Sequence, residues 1–529
     1  MKAVEHLEKA IALNPSFPEA YFKLGLLQKK TNETDEALKN FKKAVSLKND
    51  FAEAECELAI ALAKTGDLET ARNHFLNSLE IDPNFADAYF NYALLLVEIG
   101  DFEEAKNNFD KVTEIDQNYS SAYFQKAKLL NNADDFEEAR KNYETAIDIE
   151  ETFIDALYYL AKLLSGGVAT DKEGTLVDKT DLPSAKKHLL KVLEMDENHA
   201  RACYNLGKIL CKEDKLKEAQ KYLVRALKID PKYSKAHFLL AHVKEHFKLF
   251  DQATKHFRLA IEFNEENAQA HFRLGVRLYE QEEIKNAEEH LKKAISLDSQ
   301  NAQAHFHLAM IFRDDDDPNL AKKHFFRALE IDPEYSIAYY ELAHHAEKNG
   351  DLNEAKIHFQ KATEINQNFV KAYFHLARIL TNPSEYDQAL RNYETALEID
   401  PNMEECHYSF AKLIYTGERL KKDGSLVYEP DVERAEFHLR RAIEINEKYY
   451  KAYFKLALLL RDQKNYIESF NNFEHALQIN PSFSEAHYQM AVLLMDDNAA
   501  KIINLSCKNN PQKKSTAKSS NLNRKRKTK

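Results

Sequence analysis

The chain has 529 residues with only 11 Gly and 12 Pro and a formal net charge of −12. So few chain-breaking residues exclude a loop-rich enzyme of this length, and the acidic balance argues against nucleic-acid binding along it. The charge is uneven: ten Lys/Arg and no acid fall in residues 498–529, which leaves −22 over the first 497.

In chain order, residues 1–17 predict a lone helix, with Ala3, Leu7 and Ala10 in register and Pro15 closing it. It matches the second helix of the hairpins that follow. It is therefore a truncated hairpin or a capping helix, not a signal peptide. Residues 18–483 predict thirteen helical hairpins. The segment 88–117 shows the pattern: Ala88, Tyr89, Tyr92, Ala93 and Leu96 recur at helical spacing, as do Ala105, Phe109, Val112 and Ile115. Gly100-Asp101 between them is a helix stop followed by a helix start.

Copies return every 34 residues, with a small first residue at Ala20, Ala54, Ala88, Ala122 and so on to Ala486. A second alanine follows 17 residues later, as at Ala37, Ala71 and Ala105. After it come a large apolar and a small residue, as in Phe75/Ser78 and Phe325/Ala328. Two copies hold long loops between their helices, at about 165–184 and 415–434. Glu173-Gly174 and Asp423-Gly424 are turn signals there, so each loop is either a short β-hairpin or a solvated strand of chain. Residues 484–497 predict a terminal first helix, and 498–529 a basic, disordered tail. Within it, Arg524-Lys525-Arg526-Lys527 reads as a nuclear-import signal, an anion-binding patch or a solubilising end.

The period and the small/large pattern resemble the tetratricopeptide repeat (TPR) family across roughly residues 1–497. Small residues let two helices approach, large ones fill the gap to the next hairpin, and the stack supplies a core that one hairpin cannot. The resemblance implies an all-α, right-handed α-α superhelix whose first helices line a concave groove. It also implies a non-enzymatic scaffold that binds an extended peptide or helix of other proteins.

Two residues after the first alanine, nearly every copy is aromatic, which reads as intramolecular packing or as a stackable track for a partner. An offset of 250 residues relates the two long loops and segments such as 142–146 and 392–396, so a seven-repeat block is duplicated. The first block sets Lys128, Lys162, Arg201 and Lys208 beside Phe124, Tyr158 and Tyr204. The second sets Arg378, Lys412 and Lys451 beside Phe374, Tyr408 and Phe454. Cations over aromatic rings suit an acidic or carboxylate-bearing peptide, so these thirteen residues are the expected partner-binding set.

Chemistry is mostly absent. There is no Gly-rich phosphate loop and no nucleophile elbow, and no catalytic residue or cofactor is expected. His242-Val243-Lys244-Glu245-His246 has the spacing of an inverted zinc-protease motif, but it lies in an ordinary repeat helix. The other histidines recur at fixed repeat positions and read as packing, with equivalent residues about 8–10 Å apart along the stack. No metal site is expected. Five cysteines, Cys56, Cys203, Cys211, Cys406 and Cys507, show no disulfide or zinc spacing. With no run of 18 apolar residues, no membrane span is expected. The expected compartment is the cytoplasm, or the nucleus through the basic cluster. Two other readings stay open: a targeting or regulatory portion of an enzyme whose catalytic part lies elsewhere, and an RNA-binding helical array, which the acidic charge disfavours. End-to-end self-association is a further option for the array.

Overall fold

The computed structural model describes residues 2–130, 132–170, 175–420 and 425–509. The fold is all-α, a tandem array of antiparallel helical hairpins. The chain forms two compact units, residues 1–270 and 271–529. In the first, the helix Lys2–Leu13 is followed by seven hairpins, from Pro18–Lys30 with Thr34–Leu47 to Ser234–His246 with Phe250–Glu262. The second holds most of the helix Ala268–Glu280 and the hairpins that follow, up to Tyr450–Asp462 with Tyr466–Ile479.

Local chemistry sets each hairpin. The first helix ends where a residue twelve after its alanine takes a left-handed conformation: Gly66, Gly100 and Gly350 do so, and so do Asn32, Asp214, Lys248, Glu282, Asp316 and Lys464. An aspartate then commonly caps the second helix, as Asp101 accepts from the Glu104 amide at 3.3 Å. The small residues permit close approach. A Cβ added to Gly207 would sit 2.9 Å from Leu223 Cδ2, and one added to Gly275 would sit 2.8 Å from Leu291 Cγ. The core of each unit runs along its stack: Phe41, Phe75 and Phe109 in the first unit and Phe325, Phe359 and Phe473 in the second are fully buried.

Both long loops form short antiparallel β-hairpins. Val168–Thr170 pairs with Leu176–Asp178, and Glu418–Leu420 with Leu426–Tyr428. Their bases are closed alike, by Lys179 N–H to the Gly167 carbonyl (2.9 Å) and Glu429 N–H to the Gly417 carbonyl (3.0 Å). The turn signals Glu173-Gly174 and Asp423-Gly424 lie outside the described residues.

The C-terminal end corrects the sequence expectation. Residues 498–509 are not irregular: a helix spans Asp497–Asn509 directly after Ser484–Met495. Asp496 caps it, accepting from the amides of Asn498 and Ala499 at 2.9 Å each. Ala499 and Ile503, one turn apart, are buried against Phe473, Ala476, Ala486 and Leu493. Burial of that short apolar stripe outweighs the polar composition around it. Residues 510–529, with Arg524–Lys527, lie outside the described residues.

Candidate functional site

The aromatic column is mostly interior. Phe22, Phe124, Tyr158, Phe272, Phe306, Phe374 and Phe454 are buried, Tyr204 and Tyr408 are half-buried, and Tyr488 is exposed. Several of these rings are covered by a residue just before the first helix of the following hairpin. Phe124 lies 5.0 Å from Phe153 between ring centroids, Tyr204 lies 5.0 Å from Tyr233, and Phe454 lies 4.9 Å from Phe483. Tyr158 meets His199 at 5.0 Å and Tyr408 meets Tyr449 at 5.3 Å. Those contacts join neighbouring hairpins.

The expected cations are all exposed: Lys128, Lys162, Arg201, Lys208, Arg378, Lys412 and Lys451. The two blocks differ in what holds them. In the first, Lys128 Nζ stands 5.4 Å from the centre of Phe124 and 5.9 Å from that of Tyr159, and Lys162 Nζ stands 5.8 Å from Tyr159. Neither lysine is in an ion pair with a described residue; Lys128 has a 3.3 Å hydrogen bond to Gln125. They line a cavity of about 450 Å³ with Tyr143, Tyr159, Gly167 and Val168. Gly167 and Val168 form the base of the β-hairpin insert. Sequence reasoning missed Tyr159, since it follows the aromatic position rather than occupying it.

In the second block Ser409 stands where the first has Tyr159. Arg378 lies over Phe374 at 5.8 Å but is bound to Glu347, Nη2 to Oε1 at 2.6 Å. Lys412 sits close enough to Lys455 to help lower its pKa, though burial is the larger cause.

His242 packs edge-on against Phe238 and Phe257, and His246 against Phe247. Histidines do meet elsewhere. His344, Glu347 and His375 bring three ligand atoms within 4.8 Å of one another, across two successive hairpins. Burial lowers His344, and burial together with His344, Arg378 and Lys371 holds His375 near 3, so both rings are neutral at neutral pH. A scan of single helices could not find this set, because one ligand comes from the next hairpin.

No helix among the described residues is long and apolar enough to cross a membrane. The fold and the first-helix faces define a helical-repeat solenoid. Models described as tetratricopeptide repeat match residues 18–51, 120–153, 337–369, 370–403 and 450–483, and also 62–129, 176–242, 248–302 and 272–336; one described as TPR repeat matches 2–32. The chain belongs to the tetratricopeptide repeat family. No curated protein matches it. Among solved structures it is similar to YrrB, a TPR protein with an unusual peptide-binding site, at 22% identity and a TM-score of 0.31 over 39% of this chain and 97% of that one. It is also similar to the APC/C hetero-tetramer Cut9-Hcn1, at 16% identity and a TM-score of 0.36 over 92% of both chains. Yeast Tom70 aligns at 18% identity and a TM-score of 0.34, over 92% of this chain and 99% of its own.

Proposed function

We propose that the protein is a non-enzymatic interaction scaffold whose first-helix faces bind acidic, extended segments of partner proteins, with a principal site around Lys128 and Lys162. The observation that carries this is the cavity of about 450 Å³ in which two exposed lysines, in no ion pair with a described residue, flank Tyr159 at the foot of an insert. An ammonium group there donates to a partner carboxylate, while Tyr143 and Tyr159 give an apolar side chain a surface to cover. The insert base forms one wall, which orients the segment. Lys412 and Lys451, both exposed, offer a related site in the duplicated block.

The test uses the full chain and labelled peptides in which Asp/Glu alternate with Leu, against Asn/Gln counterparts. Wild type should prefer the acidic series and lose affinity as salt rises. Lys162→Ala should cost roughly 1.5–3 kcal/mol, about one to two decades in Kd, and the double variant Lys162→Ala/Lys412→Ala should cost more. Equal affinity in wild type, both single variants and the double variant overturns the site and leaves the family assignment standing.

A further inference from the structure

At three junctions the residue nine after one hairpin's first alanine meets the residue three after the next. Lys29 pairs with Glu57 in this way, Arg313 Nη1 with Glu341 at 2.6 Å, and Arg461 with the Gln489 amide oxygen at 2.6 Å. In each case a cation meets an acceptor. Glu347 and His375 occupy the same two positions, but Nδ1 and Oε2 are 3.8 Å apart, too far for a hydrogen bond. His375 Nδ1 is buried and has no hydrogen-bond partner among the described residues. His344, one turn before Glu347, brings its own Nδ1 to 3.5 Å from the same oxygen. The two imidazoles stand 4.2 Å apart at 72°.

We propose that His344 Nδ1, Glu347 Oε2 and His375 Nδ1 form a binding site for a divalent transition-metal ion of the zinc class. Around a tetrahedral ion with bonds of about 2.0–2.1 Å, ligand atoms lie about 3.3–3.5 Å apart. The observed 3.5 and 3.8 Å are therefore within a small side-chain adjustment of that geometry. Two imidazoles and one carboxylate favour zinc over calcium or magnesium, which take all-oxygen sets.

The outer groups orient the ligands. Tyr340 Oη lies 2.9 Å from His344 Nε2, and with Nε2–H donating to that oxygen the Nδ1 lone pair is directed at the trio. Arg378 holds Oε1 of Glu347 and leaves Oε2 to the ion. His344 and Glu347 line a cavity of about 740 Å³, which leaves a side open for water or a fourth donor. The equivalent positions 250 residues earlier are Leu94, Val97 and Gln125, so the set belongs to one hairpin junction and is not a general feature of the array.

The test titrates zinc chloride into the chelator-stripped, tag-free full chain by calorimetry, with magnesium chloride as the comparison. Wild type should bind one equivalent of zinc in a saturable step and show no such step with magnesium. His344→Asn and His375→Asn should each weaken that step at least tenfold, and Tyr340→Phe by about 10-fold or more. His242→Asn, at the position equivalent to His344 in another hairpin, should leave it unchanged. Circular dichroism of each variant separates loss of ligand from loss of fold. No saturable zinc step in wild type overturns the proposal. So does a step whose affinity and stoichiometry persist in folded His344→Asn and His375→Asn.

Discussion

His237 Nδ1 lies 3.0 Å from His256 Nδ1, while His237 Nε2 lies 3.0 Å from the carbonyl oxygen of Pro231. A carbonyl only accepts, so His237 carries its proton on Nε2 and its Nδ1 accepts from the Nδ1–H of His256. The arrangement recurs: His407 meets His438 at 2.8 Å and the Pro401 carbonyl at 3.1 Å. His271 with His290 and His305 with His324 repeat the Nδ1–Nδ1 contact at 3.0 Å. Each pair ties the first helix of a hairpin to its second and needs its accepting ring neutral at Nδ1, since two Nδ1–H groups cannot face each other at this distance.

The pairs make stability depend on pH. Burial, then the partner imidazole, lowers His256, His324 and His438 to about 4 each; Lys244 and Lys255 add to this at His256, and Lys323 and Lys292 at His324. At His438, Arg434 lowers and Asp431 opposes. The unfolded rings titrate near 6.5. Above that value neither state gains protons and the contribution is complete. Between about 6.5 and 4 the unfolded chain takes up protons that the folded chain does not, so stability falls as pH falls. The melting temperature of the full chain should therefore decline across that window. In His256→Gln/His324→Gln/His438→Gln, where an amide can still donate to the partner imidazole, the decline should be shallower. A profile parallel to wild type would show that the pairs do not set it.

Gly417 closes the second insert with φ +62°, and a Cβ there would lie 2.5 Å from the backbone of Glu429 and Pro430. Gly66 has a similar left-handed backbone, at φ +87°, but open space around it. Gly66→Ala thus meets only the conformational cost of about 1–2 kcal/mol. Gly417→Ala adds a clash worth about 1–3 kcal/mol, with backbone that cannot rotate aside. Denaturant unfolding should rank Gly417→Ala as the more damaging substitution, and hydrogen exchange should show the loss at residues 417–431. Equal effects at both sites would count against the close approach of Glu429 and Pro430 as the cause.

Period, alternation of small and large residues, and helix stops made the hairpins readable, because the same contacts recur every 34 residues. What escaped is what joins unlike positions. Comparing histidines at equivalent places along the stack puts them a helix spacing apart, whereas His237 meets His256 within one hairpin. The aromatic column reads as a track until Phe153, Tyr233 and Phe483 are seen to cover Phe124, Tyr204 and Phe454. The helix Asp497–Asn509 escaped because its apolar stripe is short, with Ala499 and Ile503 the well-buried positions among its described side chains. The cations were legible as exposed charges, but not their partners, since Glu347 lies 31 residues from Arg378 and on another hairpin.

That last contact separates the two blocks by experiment. Lys128 and Arg378 are equivalent across the duplication, yet Lys128 is in no ion pair with a described residue, while Arg378 is bound to Glu347 at 2.6 Å. A carboxylate approaching Lys128 displaces water and a 3.3 Å amide contact; one approaching Arg378 competes with a carboxylate already in place. Lys128→Ala, tested in a Lys412→Ala background that weakens the second block, should lower affinity for the acidic peptides by roughly one to two decades, the range for a lost charge-assisted hydrogen bond. As a surface substitution it should move stability by less than about 0.5 kcal/mol. Arg378→Ala, tested in a Lys162→Ala background, should do the reverse. Binding should change little, while stability falls by about 0.2–1 kcal/mol, the range for an exposed pair, and toward its upper end because Glu347 is only 20% exposed and would lose its partner. Both quantities can be read from one preparation, by peptide titration and denaturant unfolding. If Arg378→Ala weakens binding as much as Lys128→Ala and leaves stability unchanged, the Glu347 pair does not hold Arg378 in solution, and the two blocks are equivalent sites.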